Sequence, residues 1–319
     1  MPQPYEQPRF VAFVDVLGYK AIVRGAAFND TQRFHYLHSV FSSLAVAAHD
    51  IAHDFSQEIA VRAVQFSDSF YFSSESAITL VTAIAHYFAN VLTFYDHAFS
   101  TPRPEGATTF PEWLPFLRGG IVHGWMFEGH DITLPQLQNP ADSFRNPIGP
   151  AVASAYLLSE KTDLEGMRLA TTRAVRDRFL EELPSIRSGS QIAQLAPPLL
   201  PLFLKTHADF GEIFEVPWFE ARLLTDNTIG TFDTLVTAQR QFAPAVMKHF
   251  RGTWDAVLRT PSLERRPQLR DRAANIRFNV VQRMAYAHWV KRGRPEGSPQ
   301  HDWLVAEGII PSVNSGEPH

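Results

Sequence analysis

The chain has 319 residues, a formal net charge of −4 and 45% hydrophobic residues, which is enough apolar material for a substantial core and excludes a globally disordered protein. It contains no cysteine, which excludes disulfides, thiolate zinc sites, iron–sulfur clusters and cysteine nucleophiles. No charged segment followed by an apolar run opens the sequence, so we expect no signal peptide and a cytoplasmic protein.

The first predicted elements are a strand, a helix and a hairpin. FVAFVDVLGY (10–19) is β-branched and aromatic and ends in a glycine turn, which is typical of a central strand. Apolar residues recur every three or four positions over 30–54, and this spacing predicts an amphipathic helix. IAVRAVQF and SFYFSS flank Ser67-Asp68-Ser69, which indicates a tight hairpin with Asp68 at or near its tip.

A helix, a strand, a second helix and a short strand follow. AITLVTAIAHYFANVLTFY (77–95) is long enough to cross a bilayer. We nevertheless interpret it as a helix buried on a sheet, because it contains polar residues and its flanks lack a Lys/Arg bias. WLPFLRGGIVHGWMF (113–127) predicts a strand, either continuous or with a break at Gly119-Gly120. GPAVASAYLLSEK (149–161) predicts a helix, and MRLATT (167–172) predicts a strand.

This order, β-α-β-β-α-β-α-β, is that of ferredoxin-like folds, and we predict the α+β class with a mainly helical C-terminal extension. A strand is expected within 211–219, and helical patterns run to about residue 292. We predict a core at 1–175, a strand and helix extension that completes or caps it at 176–275, and a small helical module at 276–319.

Residues 251–294 hold eleven Arg or Lys against three acidic residues, a local charge of +8. The simplest interpretation is a solvated helical face. Nucleic-acid binding is the alternative, but no aromatic interleaving or groove-reading module supports it, so we do not expect it to be the function.

Three residues carry the chemistry that the sequence suggests. Asp15 lies within the first strand, Asp68 lies in the hairpin, and Arg118 lies on a later strand beside two glycines. Neighbouring strands of a ferredoxin-like sheet bring the two aspartates together, and paired carboxylates raise each other's pKa unless a cation lies between them. Mg²⁺ or Mn²⁺ suits such oxygen ligands, and an arginine suits a phosphate. The alternative is that each aspartate is satisfied separately by backbone NH groups or by a buried arginine.

FVDVLGYK (13–20), the Ser-Asp-Ser hairpin and RGGIVHG (118–124), followed by GPAVASAY, resemble class III nucleotidyl cyclases. They resemble still more closely the pyrimidine nucleotide cyclases of bacterial anti-phage (Pycsar) systems. The resemblance covers about residues 10–160, half of the chain. It implies a nucleotidyl cyclase catalytic core that acts as a head-to-tail homodimer, with each active site completed by the partner.

The resemblance implies the following roles. Asp15, Asp68 and the Val16 carbonyl bind two divalent ions, Mn²⁺ or Mg²⁺, and Arg118 holds phosphate oxygens. The triphosphate is lined by Phe13, Val16, Leu17, Gly18 and Tyr19. The product is a 3′,5′-cyclic pyrimidine nucleotide, with UTP preferred to CTP, made as an immune signal for a separate effector protein.

Two departures from purine cyclases concern the base. Where those enzymes have a base-reading Lys and Asp, this chain has Val64 and Asn146, which argues against ATP and GTP. Asn146 can both donate and accept hydrogen bonds to a pyrimidine edge. Arg62, on the same strand face as Val64, is another candidate for base recognition.

A third departure concerns the transition state. Purine cyclases stabilise it with an Asn and an Arg on the later helix, where this chain has Ala153 and Leu157. Either other groups replace them, such as Tyr156, Arg145 or a partner residue, or the protein is a catalytically silent nucleotide-binding module.

A second resemblance covers residues 279–310, which are similar to a short bacterial domain of unknown function. Its marks are an Ala-Tyr…Trp helix, a Gly-Arg-Pro loop and Asp-Trp-x-x-Ala-Glu. We expect Tyr286, Trp289 and Trp303 to pack as a small core.

Overall fold

The computed structural model describes residues 7–17, 31–55, 59–100, 116–127, 147–162, 164–186, 190–221, 244–296 and 299–308. The chain divides into two compact units, residues 1–102 with 115–224 and residues 103–114 with 225–319. The boundaries predicted from the sequence lie at residues 175 and 275, and two strands of the segment predicted to complete or cap the core belong to the sheet of the first unit.

The described strands of the first unit are β1 (Gln7–Leu17), β2 (Val61–Phe66), β3 (Ser69–Ser74), β4 (Phe116–Met126), β5 (Arg168–Thr172), β6 (Leu202–His207) and β7 (Gly211–Glu215). Its described α-helices are α1 (Thr31–Phe55), α2 (Ala77–Ser100), α3 (Pro150–Lys161), α4 (Arg173–Glu182) and α5 (Gln191–Leu195). The order β1-α1-β2-β3-α2-β4-α3-β5 confirms the predicted α+β class and the ferredoxin-like arrangement. β6 was not predicted from the sequence.

The seven strands form one sheet in the order β2-β3-β1-β4-β5-β7-β6. All neighbouring strands are antiparallel except β4 and β5, which are parallel and joined by α3. β1 therefore lies between the hairpin strand β3 and β4, and this is the arrangement that brings Asp15 next to both of the other predicted site segments.

Helices cover the two faces of the sheet differently. On one face, the ring of Tyr87 in α2 lies 5.9 Å and 5.3 Å from the rings of Phe70 and Phe72 on β3. The hydroxyl of Tyr87 donates to the Leu44 carbonyl of α1 at 3.2 Å, which ties the two helices of this layer together. On the other face, α3 packs on β1 and β4, with Ala155 and Leu158 in a buried cluster.

Strand β4 runs unbroken through Gly119-Gly120, so of the two predicted alternatives the continuous strand is confirmed and the break is wrong. The glycines serve close packing instead. A Cβ at position 120 would lie 2.6 Å from the Ala155 carbonyl oxygen and 3.0 Å from the Ser159 nitrogen of α3. Only a residue without a side chain allows α3 to lie this close to the strand.

The apolar segment 77–95 forms most of α2, and its described side chains are largely buried in the first unit, as predicted. His86 is part of this packing, with its ring 5.4 Å from that of Phe55 in α1. No helix within the described residues is both long and apolar enough to span a membrane.

The second unit contains the described helices α6 (Pro244–Leu258), α7 (Pro261–Glu264), α8 (Pro267–Lys291) and α9 (Pro299–Glu307). Arg277 on α8 donates to Asp255 on α6 at 2.5 Å and to Glu307 on α9 at 2.7 Å. Arg292 donates to the buried Asp302 on α9 at 2.7 Å. Part of the positive charge of 251–294 therefore holds these helices together.

The predicted aromatic core of the tail is wrong in part. Trp303 packs against the buried cluster of Val281, Ala285 and Ala306. Tyr286 is exposed, because it lies on the face of α8 that turns away from that cluster. Trp289 is half-buried and donates from Nε1 to the Pro295 carbonyl at 3.1 Å, so it fixes the loop after α8.

Candidate functional site

The register of the sheet places Asp15 between two polar residues. Asp15 on β1 is opposite Ser69 on β3 and opposite Arg118 on β4. Directly opposed residues of antiparallel strands point to the same face, so the three side chains form a row on the face that α3 covers. The Ser69 hydroxyl donates to Asp15 Oδ1 at 3.0 Å.

Asp68 joins this row through the hairpin between β2 and β3. A two-residue turn, Ser67-Asp68, links the strands, and Ser67 has the positive φ of 57° that such turns require. The Val16 amide donates to the Asp68 carbonyl at 3.3 Å, so the turn is held against the end of β1. The turn chemistry of the sequence placed Asp68 correctly, because the hairpin leaves only two residues for its tip.

The electrostatic environment of Asp15 is unfavourable for its charge. The pKa of Asp15 is raised from 3.8 to about 6. Burial is the main cause, the hydrogen bond from Ser69 partly offsets it, and the negative charge of Asp68 contributes to the increase. Arg118 lowers the pKa of Asp15, whereas Glu160 raises it. A cation beside the two aspartates would relieve this repulsion.

Arg118 does not bond directly to Asp15. Its Nη2 lies 3.8 Å from Asp15 Oδ2, and the same nitrogen donates to Glu160 at the end of α3. The Arg118 Nε is buried and donates to no acceptor among the described residues. The side chain is only 15% exposed, compared with 21% for Asp15 and 38% for Glu160. The guanidinium therefore retains an unused buried donor beside the two aspartates.

Glu160 is a site residue that the sequence reasoning missed. It lies in the last turn of α3, where a carboxylate is disfavoured by the partial negative charge of the helix end. A basic partner offsets this cost in the folded chain, and the local sequence does not indicate which residue supplies it. Here the partner is Arg118, which the close approach of α3 at Gly120 brings within reach.

An aromatic cluster borders the row. The Phe13 ring lies 5.1 Å from that of Tyr71 and 5.3 Å from that of Tyr156. The side chains of Phe13, Val16 and Leu17 are buried. A contribution of these three residues to a triphosphate site would therefore come from their backbone groups. Tyr156 is exposed at the edge of the cluster.

The remaining predicted residues fall into three groups. Arg62 and Val64 lie on the edge strand β2, opposite Ser73 and Tyr71, and so share the sheet face of Asp15. Ala153 and Leu157 are exposed on α3. Gly18, Tyr19, Arg145 and Asn146 lie outside the described residues.

The donor set of the site suits a hard divalent ion. Asp15, Asp68 and the Val16 carbonyl supply oxygen atoms only, and the mutual repulsion of the carboxylates favours a cation between them. Within the described part of the chain, no three His, Asp or Glu residues are grouped as a metal site. Such an ion would thus take further ligands from water or substrate, as Mg²⁺ usually does.

The protein family of unknown function DUF2934 matches residues 279–310, the segment whose resemblance to a bacterial domain of unknown function is described above. No protein with a curated description matches the chain.

Several solved structures are similar to the chain. A bacterial light-regulated adenylyl cyclase is 14% identical with a TM-score of 0.45, over 72% of this chain and 56% of that one. The adenylyl cyclase CyaB from P. aeruginosa is 12% identical with a TM-score of 0.41, over 66% of this chain and 95% of that one. An adenylate cyclase from Trypanosoma brucei is 14% identical with a TM-score of 0.39, over 68% of this chain and 91% of that one.

The chain thus spans little more than half the length of the light-regulated cyclase. Identities and TM-scores this low leave the function to be judged from the residues of the site.

Proposed function

We propose that the protein is a metal-dependent nucleotidyl cyclase that converts UTP to 3′,5′-cyclic UMP and pyrophosphate. The observation that carries this proposal is the row of Ser69, Asp15 and Arg118, with Asp68 held at its end by the hairpin. Two carboxylates from separate segments beside an arginine form an arrangement suited to a divalent ion and a polyphosphate.

Two ions, Mn²⁺ or Mg²⁺, would be held by Asp15, Asp68 and the Val16 carbonyl. When bound, they would supply the acidity that ionises the ribose 3′-hydroxyl and the charge that neutralises the leaving pyrophosphate. In the reaction, the 3′-oxygen would bond to the α-phosphorus, the bond from that phosphorus to the bridging oxygen would break to release pyrophosphate, and the hydroxyl proton would pass to solvent water.

Arg118 is proposed to hold a phosphate oxygen. Its buried Nε, which donates to no acceptor in the described part of the chain, supports this role because an unused donor in a buried setting gains most from a charged acceptor. Its attachment to Glu160 fixes the guanidinium beside the aspartates, so little side-chain freedom is lost when a phosphate binds.

Arg62 is proposed to read the base. It lies two residue rows from Asp15 on the same sheet face, roughly 13 Å along the strands, a distance that a nucleotide can span from phosphate to base. Arginine only donates hydrogen bonds, and uracil presents an acceptor at O4 where cytosine presents an amino donor. This difference favours UTP over CTP, and cyclic CMP from CTP is the alternative product.

The active site is proposed to be completed by a second copy of the chain. Phe66, on the same face as Asp15 at the sheet edge, is 55% exposed, and Tyr156 and Leu157 are exposed nearby on α3. Exposed apolar residues beside a site favour an interface there.

The cyclic nucleotide is proposed to act as an antiviral signal for a separate effector protein, and this role is supported by the resemblance to the anti-phage cyclases alone.

A catalytically silent nucleotide-binding module is the second candidate. Ala153 and Leu157 are both exposed on α3, where purine cyclases have their transition-state Asn and Arg, and neither can donate a side-chain hydrogen bond. In this case the site would bind a nucleotide and a metal without turnover.

The test is to incubate the protein with each of the four ribonucleoside triphosphates and Mn²⁺ and to identify products by mass spectrometry. Cyclic UMP from UTP, absent with Asp15→Asn and Asp68→Asn variants that remain folded, supports the proposal. Arg173→Ala, at an exposed ion pair on α4, is the matched control that should keep activity. Nucleotide binding without product supports the silent module instead.

A further inference from the structure

The Arg118 guanidinium donates to Glu160 on α3 and lies within ion-pair distance of Asp15 without a hydrogen bond to it. Arg118 and Asp15 are directly opposed across β4 and β1, the geometry in which an arginine and an aspartate usually pair. Arg118 Nη2 nevertheless donates to Glu160, and its distance to Asp15 Oδ2 is 3.8 Å. The acidic residue on α3 therefore competes with the acidic residue on β1 for the same nitrogen.

The competition between Glu160 and Asp15 for Arg118 determines whether the carboxylate oxygens of Asp15 are available to a divalent ion. Asp15, Asp68 and Glu160 carry three negative charges when ionised, and Arg118 carries one positive charge. A direct pair between Arg118 and Asp15 would fill the coordinating oxygens of Asp15 with guanidinium protons. A divalent ion would then have to displace the arginine before it could bind.

We propose that Glu160 is a positioning residue, which by holding Arg118 keeps the Asp15 carboxylate open to a divalent cation. This inference depends on the metal site of the proposed function. Ser69 leaves the site open in the same way, because its single hydroxyl occupies Oδ1 alone. The close packing at Gly120 is what fixes α3, and with it Glu160, at the required distance from the strand.

A purely structural role for Glu160 is the alternative. A side chain at the end of α3 that bonds to β4 also ties the helix to the sheet. In addition, any nearby negative charge attracts a cation through space, whether or not it positions Arg118. The effect on metal affinity must therefore be separated from both of these contributions.

A double-mutant cycle makes this separation, with Mn²⁺ binding measured by isothermal titration calorimetry at pH 8 without nucleotide. The variants are Glu160→Ala, Arg118→Met and the double variant, and Met has a similar length but cannot pair with Asp15. We expect Glu160→Ala to weaken Mn²⁺ binding by about 10-fold or more, the usual loss for residues that orient metal ligands. In the Arg118→Met background the same substitution should change the affinity by less than about twofold, because nothing remains to be positioned.

Glu181→Ala is the matched control, since Glu181 is an exposed carboxylate paired with Arg178 on α4. It should leave the Mn²⁺ affinity unchanged. Circular dichroism and thermal unfolding establish that each variant is folded, and a folded Glu160→Asp variant, whose shorter side chain reaches less far, should fall between the natural chain and Glu160→Ala.

Three results would overturn the inference. An unchanged Mn²⁺ affinity in Glu160→Ala removes Glu160 from the site. If Glu160→Ala weakens Mn²⁺ binding equally in the natural chain and in the Arg118→Met variant, Glu160 acts on the ion only through its charge and does not position Arg118. If the natural chain binds no Mn²⁺, or if Asp15→Asn binds it equally well, the metal site of the proposed function fails together with the positioning role.

Discussion

Asp15 and Arg118 are opposed residues of adjacent antiparallel strands, yet Arg118 Nη2 stays 3.8 Å from Asp15 Oδ2 and donates to Glu160 instead. Within the described ranges, the side chain of Asp15 has one hydrogen bond, from Ser69, in a largely buried position. A carboxylate so placed is less stable in the folded chain than in water. This cost is the physical property from which the first prediction follows.

Asp15→Asn should stabilise the protein at pH 8. The pKa of Asp15 is about 6 in the folded chain against 3.8 ordinarily, so folding opposes its ionisation. Below about pH 4, Asp15 is protonated in both the folded and the unfolded chain, and its charge costs no stability. Between pH 4 and 6 the unfolded chain ionises first, so the free energy of unfolding falls, and above pH 6 the full destabilisation is present. Asparagine carries no charge and can still accept from Ser69, so we expect a gain on the order of 3 kcal/mol at pH 8. Thermal unfolding at pH 8 and pH 4 measures it, and a variant less stable than the natural chain at pH 8 would contradict it.

Mn²⁺ should stabilise the natural chain against unfolding. A ligand that binds only the folded state at 100 times its dissociation constant adds about 2.7 kcal/mol. The unfolding midpoint should therefore rise with Mn²⁺ concentration in the natural chain, and the rise should be lost in Asp15→Asn and Asp68→Asn. An equal rise in all three proteins would place the ion elsewhere.

Gly120→Ala should destabilise the first unit by about 1–3 kcal/mol, the usual cost of overpacking. Its Cβ would lie 2.6 Å from the Ala155 carbonyl oxygen, so α3 has to move away from β4. Gly124→Ala on the same strand is the matched control, because its Cβ would meet only the Ala151 side chain at 3.3 Å. Urea unfolding compares the two variants, and equal stabilities would contradict the close-packing role of Gly120.

Arg62→Ala should lower kcat/KM for UTP by about 10- to 100-fold, the value of a lost hydrogen bond from a charged group. The reduction for CTP should be smaller, because its amino group gives Arg62 no acceptor at that position. Steady-state kinetics with both nucleotides measures the ratio, and Arg173→Ala is the control on an exposed arginine. An unchanged ratio of the two nucleotides would remove Arg62 from base recognition.

Asp302→Ala should destabilise the second unit by about 1–3 kcal/mol, because it removes the charged acceptor of Arg292, whose own side chain is partly exposed to water. Asp302 is among the buried residues of the unit and also lies 3.3 Å from His288 Nδ1. Asp271→Ala, at an exposed position of α8, is the control. Thermal unfolding compares them, and a midpoint equal to that of the control would contradict the anchoring role.

The sequence predicted those parts of the site that local patterns encode. The turn residues Ser67-Asp68 between two apolar runs specified the hairpin, and the β-branched run around Asp15 specified a central strand. The ferredoxin-like order also predicted that the strand of Asp15 lies beside the hairpin of Asp68, because that order decides which strands are neighbours.

The parts that the sequence did not predict depend on packing between distant segments. In the sequence, Glu160 is an ordinary helix-end residue, and its contact with Arg118 exists only because α3 packs on β4. Gly120 has the local pattern of a strand break, whereas in the structure it allows the Ala155 carbonyl to approach the strand. Tyr286 has the aromatic character of a core residue, but the rotation of α8 against α9 leaves it exposed. None of these relationships has a local signal strong enough to decide it.

The most direct test of the metal site is the anomalous diffraction of Mn²⁺ in crystals grown with a UTP analogue that cannot cyclise. We expect a Mn²⁺ ion bound directly to carboxylate oxygens of both Asp15 and Asp68, with Arg118 on the analogue's phosphates. A Mn²⁺ ion elsewhere in the chain, or Arg118 paired with Asp15 while the analogue is bound, would contradict the assignment of this row as a cyclase active site.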